Sequence, residues 1–388
     1  VEVLKAQSLC YCFDLDETLL KSYCGNIVNE DPESSFQREW KIIEDQYSSE
    51  QKDMIRQFFT HFNERLKEFR KREEVGGLDN LVRKWGNRKK RHTCQIETAV
   101  LSNGNTVRRP VVKYDGPGNE NVRLTEIQFP PPPVDTNMIF FIRPGWSNRL
   151  LPFLKERRQS VWVSTAGEMD YSYEAWRLLD PRGEVIKRNS FKQRINNVDV
   201  KNKNEKKSIW KCVLNESPSR LTSTRDLPFV VTIDDRTDVW LPNEGAYLHN
   251  IKAFKPYKNA HQTIPRDNEL MRMVSLFKML EEEVWADVKA RDGQAKALWE
   301  SEAQGIDPAA AWARGEVKPL QHFVSRVNRM RQSLQEMDGL LDIIDRLPSP
   351  PTADTCRKYL IKHAEALLRD KDGRTLLDAL NQFLTLNT

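Results

Sequence analysis

The chain has 388 residues, a formal net charge of +5, and 39% hydrophobic against 30% charged residues. That balance excludes a fibrous or wholly disordered protein and fits globular domains with a heavily solvated surface, one to three of them at this length. No run approaches the ~20 apolar residues that cross a bilayer, and no apolar N-terminal core reads as a secretory signal, so a soluble protein without a membrane span is expected.

The six cysteines are scattered, and Cys10-x-Cys12 lacks the CxxC spacing of a zinc or redox site. They read as free thiols in a reducing, intracellular compartment. The sequence starts at Val1, which permits a removed targeting segment; a mitochondrial or nuclear location is expected, the mitochondrion favoured. The histidines have no metal-ligand spacing.

Residues 9–14 read as a buried strand that breaks into paired carboxylates, Asp14 and Asp16, within "CYCFDLDETLLKS". Ser48 with Gln51 makes a capping box, and Met54, Ile55, Phe58, Phe59, Phe62, Leu66 and Phe69 recur at helical spacing, predicting about six turns. Gly76 and Gly77 end that helix. Lys84, Arg88, Lys89, Lys90 and Arg91 then form a basic cluster. Asn103-Gly104 between alternating runs predicts a hairpin, a further strand covers 122–129, and Pro130 to Pro133 form a stiff connector. Residues 24–135 thus read as an inserted module, part helix and part small sheet.

Strand and helix then alternate: strand 138–145, helix 146–158, strand 160–167, helix 171–180 and strand 229–235. This predicts a doubly wound α/β domain built from 1–23 and 136–290 around a parallel sheet, with ligands at the carboxyl ends of its strands. From Asp267 the pattern turns helical, and helices at 319–347, 354–369 and 374–386 predict an all-helical C-terminal extension over 291–388.

An apolar strand ending in Asp-x-Asp puts both carboxylates at the sheet's carboxyl edge, on one side by alternation. One aspartate can attack phosphorus while the other shuttles a proton, and a hard divalent cation, most simply Mg²⁺, would offset their repulsion. Thr165 could donate to a phosphate oxygen, and Lys207 could neutralise phosphoryl charge, with Lys203, Lys206 and Lys211 competing for that role. Asp234 and Asp235 could complete a metal site. Trp162, Trp210 and Trp240 read as core or pocket wall, and Glu168, Met169 and Asp170 as caps of the following helix.

In this set of motifs the sequence resembles the haloacid dehalogenase superfamily, specifically the phosphatases of the RNA polymerase II C-terminal-domain and NLI-interacting-factor type. "FDLDETLL" resembles their DxDxT signature, "FIRPGW" their RPG turn, "VSTAGEMDYSYEAWRLLDPRGEVI" their second motif, and "IDDRTDVW" their last acidic motif, over roughly residues 8–25 and 138–288. The resemblance implies Asp14 as the nucleophile that becomes aspartyl-phosphate, and Asp16 as general acid and base that touches the metal through its backbone carbonyl. It gives Thr165 and Lys207 the second- and third-motif roles, Asp235 with Asp234 the metal, and Thr18 the ordering of the loop. Ser164 departs from it, standing where the family usually has an aromatic. The insert is longer than a minimal family domain needs, and no C-terminal phosphopeptide-binding domain is evident.

The function expected is that of an Mg²⁺-dependent phosphatase acting on phosphoserine or phosphothreonine of a phosphoprotein, in an extended acidic segment. The alternative is a non-enzymatic scaffold or assembly factor in a large ribonucleoprotein, as in ribosome biogenesis, or an import-machinery component. In that reading RNA or an acidic partner is held by the cluster Lys84 to Arg91 and by the run from Lys187 to Lys211, where nine basic residues face Asp199 and Glu205.

Overall fold

A computed structural model describes residues 9–25, 39–41, 44–70, 92–114, 121–129, 134–157, 161–199, 205–214, 230–242, 244, 248–260, 267–275, 277, 278 and 281. In chain order the strands are β1 (Cys10–Phe13), β2 (Leu20–Gly25), β3 (His92–Val100), β4 (Thr106–Tyr114), β5 (Val122–Phe129) and β6 (Val134–Ile142). They continue with β7 (Val161–Thr165), β8 (Ile195–Asn197), β9 (Val230–Asp234) and β10 (Leu248–Asn250). The helices are α1 (Ser49–Arg70), α2 (Leu151–Glu156), entered through a π turn at Trp146–Leu150, α3 (Met169–Leu179) and α4 (Phe191–Arg194).

Every side chain of β1 is buried, as in a strand covered on both faces. It is the middle strand of a sheet ordered β10-β9-β1-β7-β8. Phe13 pairs with Val163, Thr165 with Asn197 and Asn250 with Asp234, all in parallel. The chain steps outward from β1 through β7 to β8, then returns to the other side for β9 and β10. That reversal puts the topological switch point, where open α/β sheets bind ligands, between the carboxyl ends of β1 and β9. The doubly wound parallel sheet is as the alternating pattern predicts.

The second sheet is antiparallel and ordered β2-β6-β5-β4-β3. Here one expectation is corrected: the run from Met138 is not a parallel strand but lies in β6, with Ile142 opposite Leu20. The reason is burial on both faces. Ile139 and Phe141 pack with Phe59 and Phe62 of α1, while Phe140 stacks on Tyr171 of α3 with ring centroids 5.8 Å apart. A strand covered twice reads as a continuous apolar run whatever its direction.

Helix α1 starts as its capping box predicts: Ser48 N–H donates to Gln51 Oε1 at 3.1 Å and Gln51 N–H to Ser48 Oγ at 3.4 Å. The hairpin turn falls at Asn103-Gly104, where Gly104 has φ 87°, a value glycine adopts without strain. Asp170 does not cap α3. Its carboxylate accepts the N–H of Ser102 at 2.6 Å, and Glu168 takes the cap position without a side-chain bond.

By its contacts the chain forms two units, one of Cys10–Thr222 with Val231–Leu270, which holds both sheets, and one of Val1–Leu9, Ser223–Val230 and Met271–Thr388. In the second, Leu9 N–H donates to Glu281 Oε1 at 3.2 Å. Residues 269–275 are helical, as expected from Asp267 onward. The basic cluster Lys84, Arg88, Lys89, Lys90 and Arg91, the polyproline connector and the expected C-terminal helices lie outside the described residues. Among the described residues no helix is long and apolar enough to cross a membrane.

Phe62 is 2% exposed, and its ring sits edge-on to Phe141 at 4.7 Å between centroids. Phe62→Ala should therefore cost about 3–5 kcal/mol by the cavity it leaves, measured as a fall in the urea midpoint at unchanged slope; an unaltered midpoint would show that α1 does not hold this sheet.

Candidate active site

Asp14 follows the last residue of β1, and its N–H donates to Ile233 O at 2.9 Å, which fixes it beside the end of β9. Asp234 is the last residue of β9. Both are buried, and between them lies Lys207, whose Nζ is 2.6 Å from Asp14 Oδ1 and 2.7 Å from Asp234 Oδ2. Lys207 reaches that point because its backbone is tied on both sides: its N–H donates to Val239 O at 2.8 Å, and its carbonyl accepts Leu241 N–H at 3.1 Å. Of its competitors, Lys206 is exposed and donates to Asp238 O, Lys211 is exposed, and Lys203 lies outside the described residues.

Asp234 is held tightly. Oδ2 also accepts Trp240 Nε1–H at 2.7 Å, and Oδ1 accepts Arg236 N–H at 2.8 Å. Asp235 is tied to the first motif through Thr18, whose hydroxyl donates to Asp235 Oδ1 at 3.2 Å and accepts Asp235 N–H at 3.1 Å.

Asp16 has a different partner. The hydroxyl of Tyr171 donates to its Oδ1, and Ser22 Oγ lies 2.9 Å from the same hydroxyl. The chain turns between Asp14 and Leu20 through Glu17, whose φ of 60° is costly for a residue with a Cβ. The loop is held there from outside: Arg143, fully buried, donates to Thr18 O at 2.9 Å, and Phe254 N–H to Glu17 O at 2.6 Å. Lys255 pairs with the Glu17 carboxylate at 2.9 Å.

Thr165 ends β7, buried, and its Oγ1 accepts Gly167 N–H at 3.2 Å, which leaves its own proton to give. A Cβ on Gly167 would lie 2.7 Å from the Tyr171 ring, so glycine is what lets Tyr171 approach Asp16. Ser164, beside it, is buried, and its hydroxyl has no hydrogen-bond partner among the described residues.

The structure thus brings Asp14, Lys207, Asp234 and Asp235 into one cluster, with Asp16 on the loop after β1 and Thr165 at the end of β7. Local sequence pattern gives no site role to Tyr171, Trp240 or Arg143. The pattern makes Tyr171 part of a helix and Trp240 core or pocket wall, and Arg143 stands inside the RPG turn without a role; no local pattern marks a helix residue that reaches a loop aspartate.

The electrostatics follow from burial. Removal from water pushes the Asp14 carboxyl well above its usual range, helped by Asp234 and Asp16 and opposed by Lys207. Burial pulls the Lys207 ammonium down, but Asp14 and Asp234 outweigh it and hold it above an ordinary lysine. Asp235 is raised to about 6 by burial, then by Asp234 and Glu17. Asp14, Asp234 and Asp235 each offer a carboxylate oxygen within 4.8 Å of the others, a spacing that one cation can bridge. Hard oxygen donors in excess over the single lysine are the donor set of a divalent cation such as Mg²⁺ or Ca²⁺.

Residues 110–289 match the family described as NLI interacting factor-like phosphatase. The chain is similar to the RNA polymerase II C-terminal domain phosphatase-like 1 of Arabidopsis thaliana, at 33% identity over 165 residues, covering 42% of this chain and 16% of the relative. It therefore spans about a sixth of that protein's length. Among solved structures it is similar to Fcp1, an essential RNA polymerase II CTD phosphatase, at 15% identity and TM-score 0.39, covering 75% of this chain and 68% of the other. A fission yeast Fcp1 variant bound to beryllium fluoride gives 16% identity and TM-score 0.36 at the same coverage. Nothing among these matches supports a scaffold, ribonucleoprotein or import role.

The shared ammonium generates a stability prediction. Lys207→Met leaves two buried carboxylates facing each other and should cost about 3–5 kcal/mol without added metal, whereas adding Asp14→Asn should recover part of that loss. Chemical denaturation of the two single variants and the double variant measures the coupling; additive losses would mean the three groups do not act as one buried unit.

Proposed function

We propose, from the premise that residues 110–289 form a domain of the NLI interacting factor-like phosphatase family, that this chain is a protein phosphatase whose nucleophile is Asp14. The matched range begins after Asp14, yet the sheet puts β1 between β7 and β9, which lie inside it. The observation that carries the reading is the Lys207 ammonium bridging Asp14 and Asp234 at the switch point, with Asp235 alongside.

In this reading an Asp14 oxygen attacks the phosphorus of a phosphoserine or phosphothreonine ester. The P–O bond to the side-chain oxygen breaks, and Asp16, held toward Tyr171 until substrate enters, gives that oxygen its proton. The phosphoryl group is then carried on Asp14 as a mixed anhydride. Water, losing a proton to Asp16, attacks the phosphorus, and inorganic phosphate leaves with Asp14 restored. Lys207 offsets phosphoryl charge from one side, and the Thr165 hydroxyl donates to a phosphoryl oxygen from the other.

Asp14 and Asp235, with Asp234 behind them and the carbonyl of Asp16, would hold a cation, for which we propose Mg²⁺. When bound it supplies positive charge to the phosphoryl oxygens and offsets repulsion between them and the carboxylates. The Arabidopsis relative is named for the C-terminal domain of RNA polymerase II. We take a phosphorylated, acidic protein segment of that class as the substrate of this chain and the nucleus as its location; nothing in the comparisons favours the mitochondrion. RNA and ribonucleoprotein partners have no support there either.

Asp14→Asn should lower turnover of a phosphoserine peptide by at least about 10³-fold, as loss of a covalent nucleophile does, with the circular dichroism spectrum unchanged; a variant as active as the native chain would sink the assignment. Chelation should abolish activity and Mg²⁺ restore it, and Asp235→Asn should need at least about tenfold more Mg²⁺ for half-maximal rate. Full activity in excess chelator would remove the metal from the reading.

A further inference from the structure

An open pocket of about 570 Å³ lies away from the candidate active site, lined by Lys155, Glu184, Lys187, Ser190 and Arg194 among others. It sits at the opposite edge of the parallel sheet. Arg194 immediately precedes β8 and donates to the carbonyl of Val161, the first residue of β7, at 3.2 Å, whereas Asp14 and Thr165 occupy the carboxyl ends. The five residues of β7, at ~3.3 Å each, separate the two edges by roughly 13 Å.

The pocket is built rather than incidental. Asp180, buried, accepts the N–H groups of Glu184 at 2.8 Å, Val185 at 2.8 Å and Ile186 at 3.1 Å, which fixes one wall. Gly183, with φ 63°, turns the chain into that wall. Arg194 is seated on the Trp162 ring, its guanidinium carbon 4.4 Å from the centroid. Three cations and one carboxylate line the space, and the carboxylate, Glu184, is engaged by Lys155 at 2.6 Å. Arg182, Arg188 and Lys192 add exposed positive charge on the same segment. None of this is needed for chemistry at Asp14.

We propose that this pocket is a second anion site, which takes a phosphoryl or carboxylate group of the same acidic phosphopeptide at a distance from the residue being dephosphorylated. The inference rests on the phosphatase reading for its choice of ligand. A peptide is favoured over RNA because the site is one concavity whose lining presents no aromatic face for base stacking, the Trp162 ring being covered by Arg194. An extended chain gains ~3.3–3.6 Å per residue and must pass around the sheet edge, so the two anionic groups are separated by about eight residues or more. Occupying both sites raises affinity through effective concentration, without new contacts at the reacting phosphate.

The test uses the full chain with Asp14→Asn, so that peptide is bound and not consumed. By titration calorimetry, a peptide with two phosphoserines about twelve residues apart should bind at least tenfold more tightly than one with the distal serine unmodified, and a pair three residues apart should show no such gain. Lys187→Glu with Arg188→Glu, both exposed, should erase the difference. In the native background the same pair of changes should raise KM for the long diphosphorylated peptide at least tenfold and leave kcat on p-nitrophenyl phosphate unchanged. Equal binding of the singly and doubly phosphorylated long peptides overturns the proposal, as does a gain that survives the charge reversal. Tighter binding of an RNA oligonucleotide that the reversal abolishes also overturns it, in favour of RNA. If the native chain hydrolyses no monoester, the phosphatase reading fails by itself, while the calorimetry still reports on the pocket.

Discussion

The Lys207 ammonium lies 2.6 Å from Asp14 and 2.7 Å from Asp234, and most of the surrounding architecture can be understood as what keeps it there. Two carboxylates at neighbouring strand ends, both buried, repel each other and lose hydration; one cation between them offsets both costs only if its position is exact to a few tenths of an ångström. The segment carrying Lys207 is therefore pinned on each side. Val239 and Leu241 bind its backbone, and the buried Glu244 carboxylate accepts Ser208 Oγ–H at 2.8 Å and Ile209 N–H at 2.7 Å. Trp240 serves twice, with its ring centroid 5.6 Å from the Lys207 ammonium and its Nε1–H on Asp234.

The antiparallel sheet belongs to the same problem. Strand β2 follows the Asp14 loop after only a few residues, and its partner β6 runs directly into Arg143. Arg143 donates to Thr18 O at 2.9 Å, to Lys252 O at 2.7 Å and to the Asp267 carboxylate at 3.0 Å. One buried guanidinium thus ties the loop after β1 to the chain beyond β10. Helix α3 is bound to the same sheet by charge as well as packing, since Glu174 pairs with Arg109 at 3.2 Å while Arg177 bridges Glu174 and Glu97. The inserted sheet therefore braces both Asp16, through Tyr171 on α3, and the strained turn at Glu17. A positive φ there costs of order 1–3 kcal/mol, and it persists because Arg143, Phe254 and Lys255 over-determine it.

Features written in local patterns could be read from the sequence: the capping box of α1, the Asn103-Gly104 turn, the strand ends at Asp14 and Asp234, and the alternation that makes the parallel sheet. What was not legible depends on register between distant segments. Four lysines in a low-complexity run look alike until Lys207 pairs with Trp240 and is thereby aimed at Asp14. The strand from Met138 looks parallel because α1 and α3 bury both its faces, and burial carries no sign of direction. Tyr171 satisfies helical periodicity so well that nothing remained to suggest a bond to Asp16, 155 positions earlier.

Strand β1 also carries a thiol, two residues before Asp14. Cys12 has a thiol 3.4 Å from that of Cys212, and Cys212 Sγ–H donates to Val163 O at 3.4 Å. Burial, then the bond to Cys212, pushes the Cys12 thiol well above its ordinary value, so it stays protonated and unreactive. Asp14 is also desolvated, but it stands one residue past the strand, next to Lys207 and within 4.8 Å of two further carboxylates. Burial still pushes its carboxyl well above the usual range, with Asp234 and Asp16 adding to the effect, and the Lys207 ammonium opposes it. The same strand thus holds a protonated sulfur in its interior and leads, one residue past its end, to an oxygen beside a cation. The donors gathered at this sheet edge are oxygens, and a hard cation rather than a soft one is what they would retain.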